Sequence, residues 1–268
     1  MKFIGADLDS LVTTVLESAK NRHVSPDVIR QFGEKELASQ ASLKAAIKET
    51  KNRLHQAAGA YLDRAPNYDR WRTELSAAAN EAEIHELSVS WMRSHSSTRE
   101  RLTILDSFYK RTLHSLGRID SVIDIACGLN PLAVRWMGLA DGFHYTAYDL
   151  YSDMTEFLTE YFSRLGIDGK AFCFNCAVSP PPHRFVDLAL ILKFLPVLEQ
   201  MDKGGTLNWL RQIDAAAMLI SFPTRSLGGK GKGMARNYEA RFLEMVSGEN
   251  WRIEKFEFDG ELCFLVDK

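Results

Sequence analysis

Long apolar runs are missing from this sequence: no stretch approaches the roughly 18 to 20 apolar residues needed for a membrane-spanning helix, so a helical membrane span is excluded. The opening residues, Met1-Lys2-Phe3-Ile4-Gly5-Ala6-Asp7-Leu8-Asp9, lack the apolar core and cleavage site of a secretory signal, and a cytoplasmic location is expected. Cysteine is scarce. Cys127, Cys173, Cys176 and Cys263 are the only four in 268 residues, too few for a disulfide framework and suited to a reducing compartment. Cys173 and Cys176 form a C-x-x-C, but no second Cys or His pair stands at ligand spacing, and Ala171-Phe172-Cys173-Phe174 reads as a buried strand. No metal is therefore expected. An excess of basic charge is also lacking: 33 Lys and Arg face 35 Asp and Glu, for a net charge of −2. Residues 1–94 carry 13 of each sign and residues 95–268 carry 20 basic against 22 acidic, so any polyanionic partner must meet a local cluster. Internal repeats and low-complexity tracts are absent as well.

What is present is an ordinary globular composition, 46% apolar and 25% charged, at a length that suits two domains. The first hundred residues have helical periodicity. Leu8, Leu11, Val12, Val15, Leu16 and Ala19 form one stripe, and Ser25-Pro26-Asp27 is an N-cap followed by proline at the first helical position. A third helix is predicted over residues 42–61, with Leu43, Ile47, Leu54, Ala58 and Tyr61 on its apolar stripe. Lys44, Lys48, Lys51 and His55 line the adjoining stripe, with Arg53 nearby and only Glu49 opposing; a solvated face and a phosphate-contacting ridge both fit. Residues 71–93 read as further helix, mostly polar outside. Ser97-Thr98-Arg99-Glu100 has the spacing of a capping box, predicting a helix from there to Gly117.

From residue 121 the pattern becomes alternating strands and helices. Strands are predicted over 121–126, 144–148, 171–176, 186–192 and 217–222, followed by a hairpin of 252–258 and 262–266 around Asp259-Gly260-Glu261. Such alternation implies an α/β domain, here a seven-stranded mostly parallel sheet with helices on both faces, behind an all-helical N-terminal domain. The expected division is 1–94 and 95–268. Ligands should sit beyond the carboxyl ends of the strands.

Several residues at those ends can carry chemistry. Val122-Ile123-Asp124-Ile125-Ala126-Cys127-Gly128-Leu129-Asn130-Pro131 places an acid near the end of the first strand, a glycine four residues on and a helix directly after, which suits an anionic cofactor end or a structural turn. A complete G-x-G-x-x-G is absent, which disfavours a dinucleotide dehydrogenase. Asp149, at the tip of the second strand, can accept ribose hydroxyls or cap the next helix. Lys193 directly follows an apolar strand and must reach the crevice or be paired, because burying it alone is costly. Ser221-Phe222-Pro223-Thr224-Arg225-Ser226-Leu227-Gly228-Gly229-Lys230-Gly231-Lys232-Gly233 interleaves glycines with cations, and Arg236 lies just beyond; the loop suits phosphate or flipped-base contacts. The Asn/Asp-Pro-Pro-aromatic tetrad of amino-group methyltransferases is missing after the fourth strand.

Taken together, Leu54-His55 through Gly59-Ala60-Tyr61, His95-Ser96-Ser97-Thr98-Arg99-Glu100-Arg101-Leu102, Asp124-Ile125-Ala126-Cys127-Gly128-Leu129-Asn130-Pro131-Leu132-Ala133, Leu192-Lys193-Phe194-Leu195-Pro196 and Ser221-Phe222-Pro223-Thr224-Arg225-Ser226-Leu227-Gly228 resemble one family. It is the Arm/Rmt family of aminoglycoside-resistance 16S rRNA (guanine-N7) methyltransferases, with their counterparts in antibiotic-producing actinomycetes. The resemblance implies a Rossmann-like fold binding S-adenosyl-L-methionine (SAM), and a helical N-terminal domain that docks on 16S rRNA in the 30S subunit. It implies that Arg101 pairs with the SAM carboxylate, that Asp124 and Gly128 shape the methionine pocket and that Asp149 holds the ribose. His95, Ser97, Ala126, Leu150, Asn175 and Cys176 complete the expected cofactor set. Asn175-Cys176 stands where the family usually carries an acid for the adenine amino group; Asn175 can accept that hydrogen bond without charge.

Guanine N7 has a lone pair and no proton to lose, so positioning suffices and no general base is needed. Lys193, Arg225 and Ser226 are expected to hold the guanine. Lys44, Lys48, Lys51, Arg53, Lys230, Lys232 and Arg236 are expected to contact RNA, with the enzyme acting as a monomer. Two alternatives stay open: a SAM methyltransferase for another RNA base or small molecule, and a non-catalytic 30S-binding factor that keeps the fold.

Overall fold

The computed structural model describes residues 5–57, 66–201, 204–225 and 233–268. Five helices come first: α1 (Gly5–Leu16), α2 (Pro26–Ser39), α3 (Leu43–Ala57), α4 (Tyr68–Ala77) and α5 (Glu81–Met92). The further helix expected over residues 71–93 is divided between α4 and α5. The break falls at Ala78-Ala79-Asn80, where Asn80 caps α5 by accepting from the Glu83 amide while the Glu83 side chain accepts from the Ala79 amide. This reciprocal pairing satisfies amides that would otherwise be orphaned and competes with helix continuation.

Two short helices, α6 (Ser96–Arg101) and α7 (Leu105–Thr112), replace the long one predicted from Ser97 to Gly117. The predicted capping box does not form. His95 is the N-cap residue of α6 with no side-chain cap bond, and Glu100 turns instead to Lys193. A charged partner in a low-dielectric setting outweighs a solvated cap bond.

The sheet comprises β1 (Ser121–Ile125), β2 (His144–Asp149), β3 (Asp168–Cys173), β4 (Val186–Leu192), β5 (Ala215–Pro223), β6 (Arg252–Phe258) and β7 (Glu261–Asp267), ordered β3-β2-β1-β4-β5-β7-β6. The first five strands run parallel and β7 is antiparallel to both neighbours, as a hairpin closed at Gly260 (φ +84°) requires. β3 ends at Cys173, so Asn175 and Cys176 lie in the loop beyond it and not in the strand predicted over 171–176.

Strand residues alternate between the two faces. Val122, Leu188, Leu190, Leu219 and Leu265 join the N-terminal helices, α7 and α8 (Ser152–Arg164) in one core. Ile123, Ile125, Ile191, Ile220 and Phe264 pack with α10 (Thr206–Arg211) and α11 (Met234–Val246) in the other, together with α9 (Leu195–Met201). The first core is continuous with Leu11, Ile29, Phe32 and Leu54 of the N-terminal helices. The segment after α1 is also strapped to the tip of β2: Val24 bridges Tyr151, the Ser25 amide donates to the Leu150 carbonyl (3.2 Å) and the Ser152 amide to the His23 carbonyl (2.8 Å).

Candidate active site

At the carboxyl ends of β1, β2 and β4 a cleft encloses about 640 Å³ of space, counting its open mouth. This is within the range of small-molecule sites. Two residues enter it in left-handed backbone conformations that side-chain-bearing residues rarely adopt: Ala126 (φ +52°) after β1 and Lys193 (φ +59°) after β4. Such outliers cluster where function holds the backbone.

The wall on the β2 side is built around Asp149. Its carboxylate is 7% exposed and accepts from the Gly128 amide (2.8 Å) and the Leu150 amide (2.7 Å). Burial raises the Asp149 pKa, opposed by the amides of Gly128, Leu150 and Tyr151. Gly128 must be glycine: its φ is +52°, and a Cβ there would stand 2.8 Å from the His95 ring. Leu150, Tyr151, Met154, Phe174 and Val197 give the cleft an apolar lining, and Ala57 of α3 contributes from the N-terminal helices.

Asn175 lies in this lining, 2% exposed, and among the described residues neither its amide nitrogen nor its oxygen has a hydrogen-bond partner. A buried amide left unsatisfied is costly, which marks a place for a ligand carrying both a donor and an acceptor. An adenine edge is such a ligand, and a ribose diol suits the aligned Asp149 carboxylate, so these residues fit SAM. His95, Ser97, Ala126, Asp149, Leu150, Asn175 and Cys176 of the expected cofactor set line the cleft, as does Lys193.

Arg101 and Asp124 do not line it; they belong to a buried network beneath. Arg101, 2% exposed, donates to both oxygens of Glu261 (Nη2 to Oε1, 2.8 Å; Nε to Oε2, 3.2 Å) and to Asn130 Oδ1 (2.9 Å), with Phe108 beneath its guanidinium. Asn130 also accepts from the Tyr109 hydroxyl (2.6 Å) and donates to Asp124 (2.9 Å), which accepts from Tyr145 (2.8 Å) as well. Burial drives the Asp124 pKa up to about 7, against the hydrogen bonds of Asn130 and Tyr145 and the charge of Arg101. Glu261 shows the opposite result: burial would raise it, but Arg101 and Lys193 hold it below the usual carboxylate range.

Lys193 is only 4% exposed; its ammonium contacts Glu100 (2.7 Å) and lies 3.6 Å from Glu261. The register explains the meeting. Leu192 pairs with Ser221 on β5, the Lys193 amide donates to Ser221 Oγ (3.1 Å), and that hydroxyl donates to Glu261 Oε1 (2.6 Å). Glu261, Asn130 and Glu100 were not singled out from sequence as site residues. Asn130, inside the Cys-Gly-Leu-Asn-Pro string, and Glu100, inside the His95–Leu102 stretch, lay in segments that carried the resemblance; Glu261 had no such signal.

The cationic expectations divide. Lys44 and Lys48 are exposed on α3 and Lys51 is half-buried. Arg53 turns towards α2, pairing with Glu36 (3.4 Å) and Glu49 (3.7 Å), so Glu49 is not the sole opposing acid. Arg225 pairs with Asp259 at the surface and is absent from the cleft lining, and Arg236 is exposed on α11. Ser226, Lys230 and Lys232 lie outside the described residues.

The strand order and the cleft at the sheet's carboxyl edge define a Rossmann-like SAM-dependent methyltransferase. Residues 17–265 match the family model described as ribosomal RNA methyltransferase (FmrO). A 16S rRNA (guanine(1405)-N(7))-methyltransferase of Micromonospora rosea is 34% identical over 97% of each chain, and one of Serratia marcescens is 33% identical over 98% of this chain and 99% of its own. The solved 16S rRNA methyltransferase RmtF, in complex with S-adenosyl-L-homocysteine, matches at a TM-score of 0.84 with 28% identity, covering 99% of this chain and 100% of its own. The chain belongs to this ribosomal RNA methyltransferase family, and its cofactor is SAM.

Proposed function

We propose that this protein methylates N7 of a decoding-site guanine of 16S rRNA in the assembled 30S subunit, the guanine corresponding to 1405 in its relatives, and thereby confers aminoglycoside resistance. The observation that carries the reading is that identity to N7-methylating relatives spans 97% of the chain, N-terminal helices included, so the parts available for substrate docking are shared along with the cofactor cleft.

SAM, when bound, supplies an electrophilic methyl group. Asp149 holds the ribose, Asn175 and the apolar lining hold the adenine, and Ala126 and Gly128 let the backbone pass close to the methionine. Arg101, held by Glu261 and Asn130 with two N–H groups left over, pairs with the SAM carboxylate, and Asp124 supports that end through Asn130. Lys193, with Arg225 and Ser226, presents the flipped guanine. The N7 lone pair forms the new bond, and no proton has to move.

Residues 1–94 serve as the docking domain, with Lys44, Lys48 and Lys51 of α3 as the phosphate-contacting ridge; Lys230, Lys232 and Arg236 extend it on the catalytic side, and the enzyme acts as a monomer. The test is primer extension on 16S rRNA after borohydride and aniline treatment, which cleaves at 7-methylguanosine. A single SAM-dependent stop at the decoding-site guanine in 30S subunits is expected. Label transfer to another base or to a small molecule would replace the reading, and cofactor binding without any transfer would favour a non-catalytic 30S-binding factor.

A further inference from the structure

Lys193 and Glu100 form a pair that structural support alone does not account for. The Lys193 side chain is 3% exposed and lines the cofactor cleft, whereas the Glu100 side chain, 41% exposed and outside that lining, follows one helical turn beyond Ser97, itself part of it. Their contact, 2.7 Å from Nζ to Oε2, sets a donor beside an acceptor. Both have capacity left. The ammonium has three hydrogens for Glu100 and the more distant Glu261, and the second oxygen of Glu100 accepts nothing from the described residues. The left-handed backbone at Lys193 is retained although an extended continuation of β4 costs less, and it is this turn that directs the ammonium to the cleft.

We infer that Lys193 and Glu100 together read the Watson–Crick edge of the target base and select guanine. The inference rests on the guanine-N7 reading above. Guanine offers an acceptor, O6, next to donors, N1–H and the 2-amino group. Lys193 donates to O6 and Glu100 accepts from N1–H and the amino group, leaving N7 free to face the methyl donor. Adenine carries the reverse pattern, a 6-amino donor next to the N1 lone pair, and so sets donor against donor and acceptor against acceptor. Charge-assisted hydrogen bonds of this kind discriminate strongly, because the wrong base leaves charged groups unpaired.

Purified enzyme is tested on 30S subunits, with 7-methylguanosine read by primer extension and SAM binding by calorimetry. Glu100→Ala should lower kcat/KM by about 100-fold while SAM affinity stays within threefold. The Tm of Glu100→Ala should stay within about 2 °C of wild type, because Lys193 keeps Glu261 beside it at 3.6 Å. A merely structural ion pair would lower the Tm or SAM affinity in step with activity, so a Glu100→Ala enzyme that loses activity only together with those overturns the inference, as does a Glu100→Ala enzyme within threefold of wild type. Should Glu100→Ala be unfolded by circular dichroism, Glu100→Gln carries the test: about tenfold lower kcat/KM is expected, and wild-type kinetics refute. The wild-type arm separates the two claims. Wild-type enzyme that leaves 30S subunits unmodified overturns the guanine-N7 reading and this inference with it; active wild type with a Glu100→Ala enzyme within threefold of it overturns only this inference.

Discussion

Glu261 is the carboxylate on which two buried cations depend, and Glu261→Gln is the most informative single perturbation of the fold. The side chain is 1% exposed against Arg101 at 2%, with contacts of 2.8 and 3.2 Å, and Lys193 lies 3.6 Å away. Glutamine preserves the volume and can still accept from Ser221, but it removes the charge and sets an amide NH2 against the guanidinium. Two opposite charges about 4 Å apart attract by about 4 kcal/mol at an effective dielectric of 20, and breaking a buried pair by removing one partner costs about 3–5 kcal/mol. At roughly 2–4 °C per kcal/mol for a chain of this size, the Tm should fall by about 10 °C, read by calorimetry or circular dichroism. The double replacement Arg101→Met with Glu261→Met removes both charges, leaves Lys193 its closer partner Glu100, and should recover more than half of the loss. If Glu261→Gln lowers the Tm by less than about 2 °C, the ion pair does not hold this part of the core and the reasoning is refuted.

Three further outcomes follow from the same geometry. The Asp124 carboxyl binds its proton more tightly folded than unfolded, so its contribution to stability is complete below about pH 4 and is lost as pH rises through about 7; relative to Asp124→Asn, wild type should therefore lose roughly 4 kcal/mol across that interval and no more above it, and denaturant curves showing a pH-independent difference would contradict this. Gly128→Ala forces a Cβ to within 2.8 Å of His95 at a positive φ and should weaken SAM binding by about tenfold in calorimetry; unchanged affinity would show that the loop adjusts freely. Lys44→Ala with Lys48→Ala should flatten the salt dependence of 30S binding by roughly 1.5 in log–log slope, whereas Arg53→Ala should instead cost about 1 kcal/mol of stability through Glu36; the reverse assignment in filter binding and melting would refute the division of the α3 cations.

Much of the architecture was legible in the residues because the signals are local. Mostly apolar segments of five to nine residues mark β1, β4 and β5, Pro26 marks the start of α2, and Gly260 marks the closing hairpin, each through a preference acting within a few residues. The cleft was foreseen for the same reason, since a parallel sheet places the ends of β1, β2 and β4 side by side whatever their sequence separation. The breaks at Ala78-Ala79-Asn80 and at Leu102–Ile104 were not legible: helical periodicity continues through both, and the interactions that interrupt it belong to neighbouring turns and to tertiary partners.

Sequence alone thus determined the fold class, the strand order's raw material and the identity of the cleft residues Asp149, Asn175 and Lys193. Tertiary structure decided what the charges do. Arg101 meets Glu261 across 160 residues and Lys193 meets Glu100 across 93; the β4, β5 and β7 register brings Lys193 and Glu261 together, and α6 delivers Glu100 and Arg101 to them. A buried charge takes whichever partner the packing delivers, and no local pattern encodes which one that will be.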